Sequence, residues 1–142
     1  SGKEITFFGC AFKKDTNDTR ESAAIKVADN LLSEQANISV YDPKVVEERI
    51  YVDLDDLNSR NSEENRALLK VQKDPYKASK NSHAIAILTE WDEFKSYDWQ
   101  RIYDDMQKPA FIFDGRGVLD IKVLEKIGFV CYRIGSGTKN HQ

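Results

Sequence analysis

The run Ala84-Ile85-Ala86-Ile87-Leu88 decides the fold. It is continuous and apolar, and polar residues bound it on both sides, Ser82-His83 before and Thr89-Glu90 after. A strand that is apolar on both faces has no face for water, which is the condition of a central strand in a parallel sheet covered on both sides.

Similar runs flank it. Ile5-Thr6-Phe7-Phe8-Gly9 reads as a buried strand continuing to about Ala11, and Ile38-Ser39-Val40-Tyr41 as a second. Asp42-Pro43 ends the second, because proline lacks a donor and restricts the residue before it. Downstream, Ala110-Phe111-Ile112-Phe113 stops at Asp114-Gly115, and a last strand covers residues 129–134. Helical patterns fall between these runs. Ser22 is placed to cap a helix whose Ala24, Val27, Ala28, Leu31 and Leu32 share one stripe. Asp74 and Pro75 open a short helix over residues 75–80. Residues 92–97 and 98–106 form two more, the second with Trp99, Ile102, Tyr103 and Met106 on one side. Asp120 opens another through Leu124 and Ile127, closed by Gly128. Residues 44–68, rich in Glu, Asp, Asn and Arg, read as an irregular insertion with short helices ending near Leu69-Lys70-Val71, and residues 135–142 as a frayed tail. Strands alternating with helices predict one α/β domain, a three-layer α/β/α Rossmann-like sandwich with a mainly parallel sheet.

The chain has 142 residues, 40% of them hydrophobic and 32% charged, enough for a single core with a well-solvated surface. A formal charge of -3 argues against general binding to nucleic acid or membrane surfaces. No apolar run approaches the ~20 residues of a membrane span. Cys10 and Cys131 each lie in an apolar strand-like run and are expected to be buried, reduced thiols, which fits a cytoplasmic chain. His83 and His141 are the two histidines, and no Cys/His spacing suits a metal.

In parallel sheets ligands bind beyond the carboxyl ends of strands, where the strand order reverses. Three loops meet that condition: those after Gly9, after Leu88, and after Phe113. The first, Phe12-Lys13-Lys14-Asp15-Thr16-Asn17-Asp18-Thr19-Arg20-Glu21-Ser22, is dense in charge. It lacks the second and third glycines of a dinucleotide fingerprint, so a pyrophosphate cannot approach its backbone closely. Lys13 and Lys14 can instead meet phosphate as point charges, with Arg116 adding a bidentate clamp from the third loop. The same cations equally suit a solvated loop paired with Asp15, Asp18 and Glu21. Asp15 and Asp18 read as turn-bracing groups rather than catalytic acids. Asp42 stands either as a ribose-binding acid or as part of a plain turn. Trp91, Phe94, Tyr97 and Trp99 read as packing.

Taken together, "GCAFKKDTNDTRES", "YDPKV", "ILTEWDEF" and "KPAFIFDGRGVLD" with "IGF" resemble, in order and spacing, the carboxyl-terminal domain of the eukaryotic UDP-glucose 6-dehydrogenase family, over nearly the entire chain. The resemblance implies a three-domain, homo-oligomeric enzyme that oxidises UDP-glucose to UDP-glucuronate with two NAD. An amino-terminal domain binds NAD, a central helical domain makes the dimer, and this domain covers the UDP. The family's nucleophilic cysteine and its lysine and aspartate helpers lie upstream, so the resemblance assigns no catalytic residue here and implies that the isolated domain is silent. It puts Phe12, Lys13 and Arg116 on the substrate and Arg20 on NAD. Lys14 is a helper to the local field, while Glu90 and Trp91 are structural. Cys10 stands where animal relatives carry phenylalanine, and Gly117 where relatives often carry a polar or basic residue.

Overall fold

The computed structural model describes residues 2–10 and 23–133. Ser22, the expected helix cap, Ala11, the expected end of the first strand, and the tail after Arg133 lie outside them. Among the described residues, six strands form one sheet: β1 (Glu4–Phe8), β2 (Asn37–Tyr41), β3 (Leu69–Val71), β4 (Ala84–Ile87), β5 (Phe111–Asp114) and β6 (Val130–Arg133). Their order is β3-β2-β1-β4-β5-β6, and every pair is parallel. The Ala84 run is central, as its composition requires. β1 lies beside it with Phe8 level with Ile87 on one flank and Tyr41 on the other.

The chain lays down β1, β2 and β3 in one direction, crosses back, and lays down β4, β5 and β6 in the other. Crossovers between parallel strands are right-handed, so reversing direction moves the connecting helices to the opposite face. Helices α1 (Ala23–Ser33) and α2 (Glu47–Asp56) cover one face. Their Ile25, Ala28, Leu32, Ile50 and Leu54 pack on Phe7, Ile38, Val40 and Leu69. Helices α4 (Pro75–Ser79), α5 (Trp99–Asp105) and α6 (Ile121–Ile127), with a 3-10 turn at Asp92–Ser96, cover the other face. There Ala78, Phe94, Trp99, Ile102 and Leu124 pack on Phe8, Ile85, Ile87 and Ile112. Each large apolar side chain fully withdrawn from water in these layers contributes ~1.5–3 kcal/mol. Helix α3 (Ser62–Leu68) leads into β3.

Local signals set the helix starts. Asp74, Asp98 and Asp120 accept from the amides of Tyr76, Arg101 and Val123. Asn61 and Glu64 form a reciprocal capping box that starts α3.

Three expectations change. Residues 44–68 hold the expected short helices as α2 and α3, joined by a turn, but they are packed rather than an irregular insertion; their polar composition masked an apolar stripe of Ile50, Tyr51 and Leu54. Leu69-Lys70-Val71 is a sheet strand rather than the end of an insertion. The stripe of α1 is rotated toward Ile25, which is buried, while Val27 is 41% exposed.

Candidate functional site

The loops after β1, β2, β4 and β5 all leave the same edge of the sheet, and β1 and β4 flank the point where strand order reverses. Gly9 marks the closest approach between them. Its φ is +95°, and a Cβ there would lie 2.0 Å from Thr89 Oγ1 and 2.9 Å from Thr89 N. The position therefore requires glycine for both conformation and space. Gly9 N–H donates to Tyr41 O at 2.8 Å, and Leu88 N–H to Phe8 O at 3.0 Å, so the exits of β1, β2 and β4 are bound to one another.

Asp42 completes that junction. Its Oδ2 accepts from Cys10 N–H at 2.8 Å and from the Trp91 indole N–H at 3.1 Å, and its Oδ1 accepts from Lys44 N–H at 2.7 Å. Both oxygens serve the protein, which favours the turn reading over the ribose reading. Next to it, Glu93 accepts from the hydroxyls of Tyr41 at 3.1 Å and Tyr97 at 2.6 Å. Burial first, then Glu93, raises the pKa of both phenols, so they remain protonated donors.

The third loop is built around Asp114, which is completely buried. Its Oδ1 accepts from the amides of Arg116 (3.0 Å), Gly117 (2.8 Å) and Val118 (3.2 Å), and its Oδ2 from Leu119 N–H (2.9 Å). A carboxylate that gathers four amides forces the chain into a tight turn. That turn presents Arg116 outward, where its Nη2 donates to Glu90 Oε2 at 3.1 Å from the β4 loop. Gly117 has φ +69°, and an added Cβ would meet Arg133 Nη1 at 3.0 Å. Arg133 Nη2 also donates to Leu119 O at 2.8 Å. A cation thus occupies the space where relatives were expected to carry a polar or basic side chain, supplied by β6 instead.

Of the expected site residues, Arg116 lies at this edge. Phe12, Lys13 and Arg20, with the helper Lys14, lie outside the described residues. The loop that carries them starts at β1, two strand spacings or ~10 Å from the β5 turn. Trp91 and Glu90 brace the edge. Phe94 is fully buried, Trp99 nearly so, and Trp91 and Tyr97 pack against the same cluster.

Both cysteines are free thiols. Cys10 is buried, and that burial, reinforced by Asp42 and Asp53, pushes its pKa far up. Cys131 is half-buried rather than buried, and its pKa is pushed up to about 11 by burial, then by Glu125 and Asp114. Neither is a thiolate at neutral pH, so neither is a ready nucleophile. His83 Nδ1 accepts from Glu4 N–H at the amino edge, away from these loops. Among the described residues no group of three His, Cys, Asp or Glu side chains forms a metal site, and no helix is long and apolar enough to cross a membrane.

Sequence reasoning passed over Asp114, Asp42 as a clamp, and Arg133. A usable signal existed for the first two: an Asp at the end of an apolar strand, followed by Gly or Pro, is turn chemistry. Arg133 lies on a different strand from the loop it supports, and no local pattern announces it.

A family model described as the UDP-glucose/GDP-mannose dehydrogenase family, UDP binding domain, matches residues 6–121. The chain is 48% identical over 145 aligned positions to UDP-glucose 6-dehydrogenase 1 of Arabidopsis thaliana, covering 95% of this chain and 30% of that protein. It is 51% identical over 144 positions to UDP-glucose 6-dehydrogenase 3 of Oryza sativa subsp. japonica, with the same coverage. Among solved structures it resembles a UDP-D-ManNAc dehydrogenase from Pyrococcus horikoshii, with TM-score 0.64 and 26% identity, over 95% of this chain and 26% of that one. An NDP-N-acetyl-D-galactosaminuronic acid dehydrogenase from Methanosarcina mazei Go1, 24% identical with TM-score 0.69 over 94% of this chain and 25% of that one, shares the fold.

Proposed function

Because the chain belongs to the UDP-glucose/GDP-mannose dehydrogenase family, as its UDP-binding domain, we propose that it is the carboxyl-terminal part of an NAD-dependent UDP-glucose 6-dehydrogenase. Its role is to hold the UDP of UDP-glucose while domains elsewhere in the polypeptide carry out oxidation to UDP-glucuronate. The observation that carries this reading is the braced edge at the reversal of strand order, where Asp114 sets the turn that exposes Arg116.

Lys13 and Arg116 neutralise the diphosphate from two different loops, and Phe12 packs against the same substrate. Arg20 reaches NAD, which accepts hydride when bound by the amino-terminal domain. No residue of this chain is catalytic, and the working enzyme is a homo-oligomer of the cytoplasm, where free thiols persist. Holding the distant UDP makes binding energy available to orient the glucose end without touching it.

Calorimetry on the chain tests the reading. As half of a site it should bind UDP and UDP-glucose at high-micromolar to millimolar Kd, roughly -4 to -6 kcal/mol. In the full-length enzyme, Arg116→Ala or Lys13→Ala should each remove about 1.5–3 kcal/mol of UDP-glucose binding. Arg20→Ala should alter NAD dependence instead. Wild-type kinetics for UDP-glucose in both substrate-site variants would reject the assignment and leave an assembly module with a nucleotide-binding fold.

A further inference from the structure

Among the described residues, helices cover the face of the sheet that bears α1 and α2 over β1, β2 and β3. The helices after β4 and β5 lie on the opposite face, because the winding direction reverses at β1. The half over β4, β5 and β6 is apolar. Phe111 and Phe113 of β5 and Val130 and Tyr132 of β6 point to it, paired Phe111 with Val130 and Phe113 with Tyr132. None of the four belongs to either core cluster of the described residues. Their rings form a stacked ridge: Phe113 and Tyr132 have centroids 5.3 Å apart and planes 12° apart, and Phe111 lies 6.4 Å from Phe113 at 21°. Val130 is 37% exposed and Tyr132 48%. Beside the ridge, β4 contributes the small side chains of Ala84 and Ala86 on the same face, next to the helical layer.

We propose that this aromatic ridge is the seat of a helix contributed by the same polypeptide from outside these 142 residues. The inference rests on the reading of the chain as one domain of a longer protein. Parallel strands are covered on both faces, and what covers them is almost always helix. A ridge of three flat rings beside two alanines accommodates the aliphatic stripe of an amphipathic helix. The material is at hand, since the chain covers 30% of the plant relatives and more than two thirds of their length lies elsewhere.

The test places p-benzoylphenylalanine at position 132 in the full-length protein, an aromatic replacement at an exposed site. Heavy-isotope and light copies are mixed, irradiated, digested and mapped by mass spectrometry. The expected result is a cross-link from position 132 to a peptide outside residues 1–142, with both partners carrying the same isotope. Cross-links joining heavy to light copies would overturn the proposal in favour of a second subunit. Cross-links confined to residues 1–142, or none, would overturn it as well. UDP-glucose turnover by the same variant reports separately on the nucleotide-binding reading, so the two can fail independently.

Discussion

Two aspartates end strands at the binding edge, and they work in opposite ways. Asp114 is local: four amides within five residues of it converge on its carboxylate, and the result is a turn that presents Arg116. Asp42 is long-range: it accepts from Cys10 on the β1 exit, from Trp91 on the β4 loop and from Lys44 on its own turn. The first shapes one loop, and the second sews three together. The difference teaches that a strand-end carboxylate can build a site without touching ligand, by acting as the acceptor around which backbone donors organise.

The contrast breaks most sharply at Asp114. Asp114→Ala leaves four amides without their acceptor and should destabilise the fold by about 3–5 kcal/mol, since each orphaned donor costs about 1–3 kcal/mol and water relieves some of them. Urea denaturation measures it; a loss below about 1 kcal/mol would show that the turn forms without the carboxylate. Asp42→Ala removes the acceptor of three donors and should cost about 2–3 kcal/mol. Its signature is spatial: hydrogen exchange should quicken at Cys10 and around Trp91 together, whereas loss of a local turn would speed only Lys44.

Trp91→Phe keeps an aromatic side chain, though a smaller one, and removes the indole donor, so about 1 kcal/mol is expected from the lost hydrogen bond. In a double-mutant cycle with Asp42→Ala the two effects should be less than additive; full additivity would deny the link. Glu90→Gln is the gentlest change. The Arg116–Glu90 pair is half-exposed, so stability should move by less than about 0.5 kcal/mol. If Arg116 meets the diphosphate as proposed, the same change removes a competing anion, so UDP should bind slightly tighter. Weaker UDP binding would mean that Glu90 holds the guanidinium in place for the ligand.

Much of the fold was legible because the apolar runs were unambiguous: Ala84 to Leu88 read as a central strand with no face for water, and Asp74-Pro75, Asp98 and Asp120 announced helix starts. In the region from 44 to 68 short helices were expected, but their bounds and packing were not legible, because α2 and α3 bury few residues and show a polar surface to the rest of their circumference. Val27 misled for a related reason. Periodicity defines a stripe within a turn of the helix, but packing against the sheet chooses its centre, and Ile25 won. At the site, the position of Arg116 could be read from its turn, whereas its partner Glu90 and the support from Arg133 arise from neighbouring strands in the sheet. Sequence distance hides such contacts.

The central claim is that the edge between the β1 exit and the Asp114 turn receives a nucleotide diphosphate. A titration of the isotope-labelled chain with UDP, followed by amide NMR shifts, tests it most directly. The account predicts saturable shifts at Cys10, Glu90 and residues 115–119, with the amides of Phe111 and Val130 at the amino end of their strands unmoved. Shifts confined to other surfaces, or none at millimolar UDP, would contradict it.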